Sequence, residues 1–330
     1  MRSRVLTLVA LTCLVVGVAA GPAGASDDPH FAQQWGLEQI GAPAAWATST
    51  GAGIRIGIVD TGVDLTHEDL AGKVVAHTSC VGALGDPAKC SGSAQDDQGH
   101  GTHVSGIAAA TRDNHVGIAG VAPDAQLVVA KALNAQGAGT VEDINAGIKW
   151  VVDHGARVVN LSLGDPNFLL TSLLGSSMAP AIEYAWSHGA VPVLAAGNTN
   201  VLGLGLLGSS NYGDLDAVVV GATGPDDHVT PYSSPLGDAK WGIVAPGGLG
   251  DGTPEHDILS TWWEKGKTNQ YKALAGTSMA TPHVAGAIAL LLAEGLSPQE
   301  AVAHLLKTSN PNPDCDSACG RLDTARAVQR

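Results

Sequence analysis

Val59-Asp60-Thr61-Gly62, Gly99-His100-Gly101-Thr102-His103-Val104 and Gly276-Thr277-Ser278-Met279-Ala280 bring a carboxylate, an imidazole and a hydroxyl in that chain order. A serine hydroxyl is a poor nucleophile at neutral pH. A neutral imidazole that takes its proton, held in one tautomer by a carboxylate, makes it able to attack an acyl carbon. Asp60, His100 and Ser278 are the candidates for those roles, and the chemistry they would serve is acyl transfer through a covalent intermediate.

Other chemistries fit these residues poorly. His100 and His103 lack the His-Glu-x-x-His pattern of a catalytic zinc site, because Gly101 stands where the glutamate belongs. Ala280 breaks the Gly-x-Ser-x-Gly elbow of the α/β-hydrolases. The glycine-rich run Gly51 to Gly57 precedes an apolar strand instead of following one, which argues against a dinucleotide loop.

Short apolar runs alternate with longer amphipathic stretches, predicting a parallel sheet with helices on its faces. Strands are expected at Ile54 to Val59, Gln126 to Ala130, Val158 to Leu161, Val191 to Ala195 and Ala217 to Val220. Helices are expected at His100 to Ala110, Val141 to His154, Ala181 to His188, Ser278 to Glu294 and Ser297 to Lys307. Asp60 then sits at the carboxyl end of a strand, and His100 and Ser278 at helix amino ends, where open α/β sheets bind ligands. Thr277 is the expected N-cap of the serine helix. Pro282 falls early enough for its missing N–H to be tolerated, and Val284, Ala285, Ile288, Ala289 and Leu292 mark a buried face.

The order Asp, His, Ser separates the subtilisins from the chymotrypsin barrel and the α/β-hydrolases, and the residues around each member resemble that family closely. Ala195-Ala196-Gly197-Asn198, the opening Asp28-Pro29-His30-Phe31, Trp35-Gly36 and Ala42-Pro43-Ala44-Ala45-Trp46 extend the resemblance from Asp28 to about Leu306, nearest the thermitase-like branch. The resemblance implies a three-layer α/β fold with a mostly parallel central sheet flanked by helices, and a serine endopeptidase. It makes Asn198 the oxyanion-hole donor beside the backbone N–H of Ser278. It lays an extended peptide between Ser162-Leu163-Gly164 and Ala195-Ala196-Gly197 on one side and Leu133 to Gly139, with Gly137, on the other. These residues are small or apolar, and Thr199 stands where relatives often carry an acid, so large apolar or aromatic P1 residues are expected with weak discrimination. The resemblance also implies a structural Ca²⁺ held by Asp28, Asp69, Asn114 and the carbonyls of Arg112, Val116 and Ile118, with no catalytic metal.

The first residues read as an export signal, 1–25: Arg2 and Arg4, an apolar stretch from Val5 to Val18, and Ala23-Gly24-Ala25 for cleavage. Residues 26–330 form one peptidase domain with no recognisable propeptide domain ahead of it, so folding unaided or with help in trans is expected, and refolding should be slow. Secretion makes the four remaining cysteines two disulfides with three possible connectivities; proximity favours Cys80 with Cys90 and Cys315 with Cys319. The formal charge is −14, or −16 once Arg2 and Arg4 leave. That acidity argues against nucleic acid and anionic membranes and suits a soluble monomer acting on polypeptides. Two apolar insertions, 168–174 and 201–207, are read as loop packing in preference to a lid, and Trp262 and Trp263 as surface packing. The alternatives are a catalytically silent exported binding protein of the same fold and an esterase using the same triad.

Overall fold

Four of the five expected strands are apolar almost without interruption, as strands covered on both faces must be, and all five form in parallel. The computed structural model describes residues 25–163, 177–198, 212–315 and 319–329. Its strands are β1 (Arg55–Asp60), β2 (Val74–Ser79), β3 (Gln126–Lys131), β4 (Val158–Leu161), β5 (Val191–Ala195), β6 (Val218–Thr223), β7 (Trp241–Pro246), β8 (Ile258–Trp262), β9 (Gln270–Leu274), β10 (Asn310–Pro311) and β11 (Gly320–Arg321). Nine of them make one sheet in the order β10-β11-β7-β6-β5-β4-β1-β3-β2, antiparallel only at β10–β11. β8 and β9 pair with each other as a separate antiparallel hairpin.

Strand side chains alternate between two cores. Ile56 and Ile58 of β1, with Val158 and Val193, point to one core; Val59, Val159 and Leu161 point to the other. The described helices are α1 (Trp35–Gln39), α2 (Ala42–Ala45), α3 (His100–Ala109), α4 (Val141–Asp153), α5 (Ala179–Ser187), α6 (Thr277–Ala293), α7 (Pro298–Thr308) and α8 (Thr324–Ala327). Val104 and Ile107 of α3 and Val284 and Ile288 of α6 fill the first core, whereas Ile144, Ile148 and Val151 of α4 and Ile182 of α5 fill the second. The result is the expected three-layer α/β arrangement.

One expectation is corrected at α6. Instead of one apolar face, every residue from Thr277 to Leu292 is buried. The helix packs against the sheet and is covered by α3 and α7, so it is apolar all round, as a wholly buried helix must be. The disulfides Cys80–Cys90 and Cys315–Cys319 are both present, closing loops with sequence separations of 10 and 4. No helix among the described residues is long and apolar enough to cross a membrane. Most of the signal segment and both apolar insertions lie outside the described residues.

Candidate active site

β1 lies between β3 and β4, where the strand order reverses, and its last residue is Asp60. Such a reversal opens a crevice at the carboxyl ends of the strands. Asp60 is fully buried, and its Oδ1 accepts the N–H of Thr61 at 2.7 Å. His100, the first residue of α3, places Nδ1 2.8 Å from Asp60 Oδ1 and 3.0 Å from Oδ2. The glycine of the histidine motif makes this approach possible: a Cβ on Gly101 would collide with the carbonyl oxygen of Gly62. The second histidine diverges. His103 Nε2 donates to the carbonyl of Lys272 at 2.8 Å, and burial pushes its pKa down to about 3, so it stays neutral.

Helix amino ends leave four N–H groups without helical partners, and at α3 side chains satisfy them. Asp96 accepts from Gly99 N at 2.9 Å and Thr102 N at 3.0 Å, Gln98 Oε1 from His100 N at 2.8 Å, and Thr61 Oγ1 from Gly101 N at 2.8 Å. The sequence reading missed Asp96 and Gln98, although an acid just ahead of a helix is a recognisable capping signal. It also missed Lys131, the residue paired with Asp60 across the sheet. The Lys131 ammonium donates to the Thr61 and Leu133 carbonyls at 2.7 and 2.9 Å and to Asp97 at 2.6 Å. It thereby ties the Asp60 turn to the start of the expected substrate edge.

Burial, the largest influence on His100, disfavours its charged form. The charge and hydrogen bond of Asp60, with the charge of Asp96, outweigh it, and the imidazole titrates above its usual 6.5.

Ser278 is the second residue of α6. The cap is Gly276 and not Thr277, which is already helical. The threonine side chain does other work: its Oγ1 accepts from Gly197 N at 3.2 Å and, with Thr277 N at 3.0 Å, engages Asn198 Oδ1 at 3.1 Å. Both contacts fix the amide with its oxygen toward Thr277, leaving Nδ2 to donate elsewhere. Pro282 lies past the first turn, so the carbonyl four residues earlier, that of Ser278, loses its helical donor. Ser162 Oγ supplies one at 2.8 Å, and Ser278 Oγ donates in return to the Ser162 carbonyl at 3.1 Å. The hydroxyl is therefore turned to Ser162 and not to His100; catalytic contacts of this kind commonly tighten only with substrate.

Ser162 and Leu163 follow β4, and Ala195 and Gly197 lie at and after the end of β5; Gly164 and Thr199 lie outside the described residues. Gly137 belongs to a turn: its N–H donates to Asn134 O at 2.9 Å, and Asn134 N to Ala138 O at 2.8 Å.

Of the expected calcium residues, Asp28, Asp69 and Asn114 meet at the loop 113–118. Asp28 accepts the N–H groups of Asp113, Asn114 and His115 at 3.0, 3.1 and 3.2 Å. Asp69 accepts from Asn114 Nδ2 at 2.9 Å, Ile118 N at 2.8 Å and the Tyr271 hydroxyl at 3.0 Å. The amide of Asn114 thus turns its nitrogen to Asp69, while its oxygen accepts Val116 N at 3.0 Å. Among the described residues no three His, Cys, Asp or Glu side chains gather as a metal cluster, so an ion here would rely on two carboxylates and neutral oxygens. The chemistry fits a hard cation: both aspartates are buried, neither forms an ion pair among the described residues, and burial pushes the Asp69 carboxyl above its usual range.

Comparison with known proteins agrees with this architecture. Residues 51–321 match the Subtilase family, Peptidase_S8. Thermitase of Thermoactinomyces vulgaris is 37% identical over 308 residues, which is 92% of this chain and 99% of that protein. The thermophilic serine proteinase of Bacillus sp. (strain AK1) is 37% identical over 276 residues, 82% of this chain and 60% of that longer protein. Among solved structures, a protease of Pseudoalteromonas arctica PAMC 21717 superposes with a TM-score of 0.75 at 29% identity, covering 92% of this chain and 98% of that one.

Proposed function

This chain belongs to the subtilase family and is a serine endopeptidase, and on that premise we propose that it is exported and cleaves polypeptides through an acyl-enzyme formed on Ser278. The observation that carries the assignment is the buried Asp60 carboxylate 2.8 Å from His100 Nδ1, with Ser278 at the head of α6 and the Asn198 amide locked beside it. With Nδ1–H held by Asp60, Nε2 is the free base. It takes the Ser278 proton as Oγ bonds to the carbonyl carbon. The carbonyl electron pair moves to oxygen, which Asn198 Nδ2 and the Ser278 N–H receive. The proton then passes to the leaving amine as the C–N bond breaks. A water, deprotonated by the same Nε2, releases the acid and restores the serine. A serine-directed phosphonylating reagent should block digestion of an unfolded protein and label Ser278; a label elsewhere, or digestion unaffected, would refute the assignment.

His100 must be neutral to act as base, and its pKa lies above 6.5. Activity is therefore lost as pH falls through that raised value, and the acid limb of kcat/KM should lie above pH 6.5. The stability contribution has the opposite sense: the fold favours the charged ring, so that contribution is full below 6.5 and fades as pH rises through the folded value. An acid limb centred below 6.5 in a pH profile would contradict the reading.

The small and apolar character of Ser162, Leu163, Ala195 and Gly197 supports a preference for Phe or Leu over Arg or Lys at P1. Methylene-scale contacts separate apolar side chains by only about 10- to 200-fold. A peptide-anilide panel won by Arg or Lys would reverse this.

Asp28, Asp69, Asn114 and the carbonyls of Arg112, Val116 and Ile118 would hold a calcium ion, whose charge would balance two buried carboxylates and brace the loop. A ligand at a hundred times its dissociation constant stabilises a fold by about 2.7 kcal/mol. Chelation should accordingly shorten the half-life of activity on heating, and added calcium restore it. Identical half-lives with and without chelator would remove the ion from the account.

A further inference from the structure

Two consecutive residues before the imidazole meet different parts of the chain. A Cβ on Gly137 would lie 3.5 Å from the Gln98 amide nitrogen, so Gln98 borders the acyl-side edge. Gly99 has φ +110°, and the space its Cβ would need is filled by the Trp262 indole, with ring atoms 2.7 Å from that position. The β8–β9 hairpin therefore covers the imidazole turn at Gly99. It is seated by Ser260 Oγ donating to the His103 carbonyl at 2.7 Å and Thr261 Oγ1 to the Thr102 carbonyl at 2.8 Å.

The leaving amine departs toward the imidazole that protonates it, so the half of the substrate beyond the scissile bond starts beside the turn that this hairpin covers. There it meets an aromatic ring and a cation: the Lys272 ammonium lies 4.1 Å from the centroid of the partly exposed Trp262 ring. Lys265, Lys267 and Lys272 fall within eight residues of a chain whose net charge is −14. Glu264, the one acid between Trp262 and Lys272, is paired with Lys267 at 2.7 Å. Lys265 and Lys272 form no ion pair among the described residues.

Resting on the endopeptidase reading, we propose that Trp262 and Lys272 form a subsite for the leaving-group half of the substrate that favours Asp or Glu at the second or third residue beyond the scissile bond. Trp262 supplies the floor and Lys272 the charge. The pairing is exposed, so its effect is modest, about two- to five-fold in rate, and salt weakens it.

Internally quenched peptides that differ only in carrying Asp, Ala or Lys at those two positions test this. The wild type should show kcat/KM in the order Asp, Ala, Lys, with the Asp-to-Lys ratio collapsing at high salt. Lys272→Glu should invert the ratio, and Trp262→Leu should reduce it, with thermal unfolding checking that each variant is folded. Equal rates on the three peptides, or a ratio unchanged in folded Lys272→Glu, would overturn the subsite. A wild type that cleaves none of them would instead overturn the endopeptidase reading.

Discussion

Ser278→Ala should lower kcat by on the order of a million-fold, a magnitude measured for the nucleophile of subtilisin, a member of the same family. The expectation follows from how little of the site would change. Ser278 is buried and its backbone is fixed by α6, so alanine removes one oxygen and leaves Asp60, His100 and the Asn198 amide in place. What remains is binding and oxyanion stabilisation without a nucleophile. His100→Ala should cost nearly as much, and the double substitution little more than either alone, because proton transfer and attack are one event. The measurement is kcat on a peptide anilide. A Ser278→Ala protein that keeps a hundredth of wild-type turnover would show that another group attacks.

Asn198→Ala should reduce kcat by roughly 10²- to 10³-fold with KM almost unchanged, again a figure measured on subtilisin. Thr277 holds the amide oxygen through its N–H and hydroxyl at 3.0 and 3.1 Å, so the amide nitrogen is oriented before substrate arrives. A donor aimed at where charge develops acts on the transition state and hardly at all on the bound ground state. Truncation also removes the acceptor of the Thr277 N–H at the head of α6, so thermal unfolding should accompany the kinetics to show that the variant is folded. A rise in KM at constant kcat would make Asn198 a binding residue.

The positions of Asp60, His100 and Ser278 and the strands around them were legible because each depends on a local signal. β1, β3, β4, β5 and β6 are apolar runs of strand length, and Asp60, His100 and Ser278 sit at the ends of periodic segments. β2 and β9 were not, because Val74–Ser79 and Gln270–Leu274 are partly exposed and carry polar residues that blur the pattern. Long-range side-chain contacts left no periodic trace at all. Ser162 bonds Ser278 across 116 positions and Tyr271 bonds Asp69 across 202, each a single side chain meeting one atom. Thr277 shows the limit of reading caps from residue type: threonine suits the cap, but here its hydroxyl orients Asn198 and glycine takes the terminal position. Trp262 reads as surface packing, but its packing partner was hidden: nothing in the sequence indicates that a glycine 163 positions earlier leaves room for its ring.

Pro282 has a consequence for motion. By withholding its N–H it leaves the carbonyl of Ser278 to the hydroxyl of Ser162, while the hydroxyl of Ser278 reaches the carbonyl of Ser162. Two peptide units from distant parts of the chain are thereby latched in both directions. A peptide that presses on the end of β4 cannot displace it without dragging the nucleophile along. When the Ser278 hydroxyl turns to the imidazole only the bond from the Ser162 hydroxyl to the Ser278 carbonyl survives, and that single bond keeps the end of β4 tied to the backbone that carries the reacting oxygen.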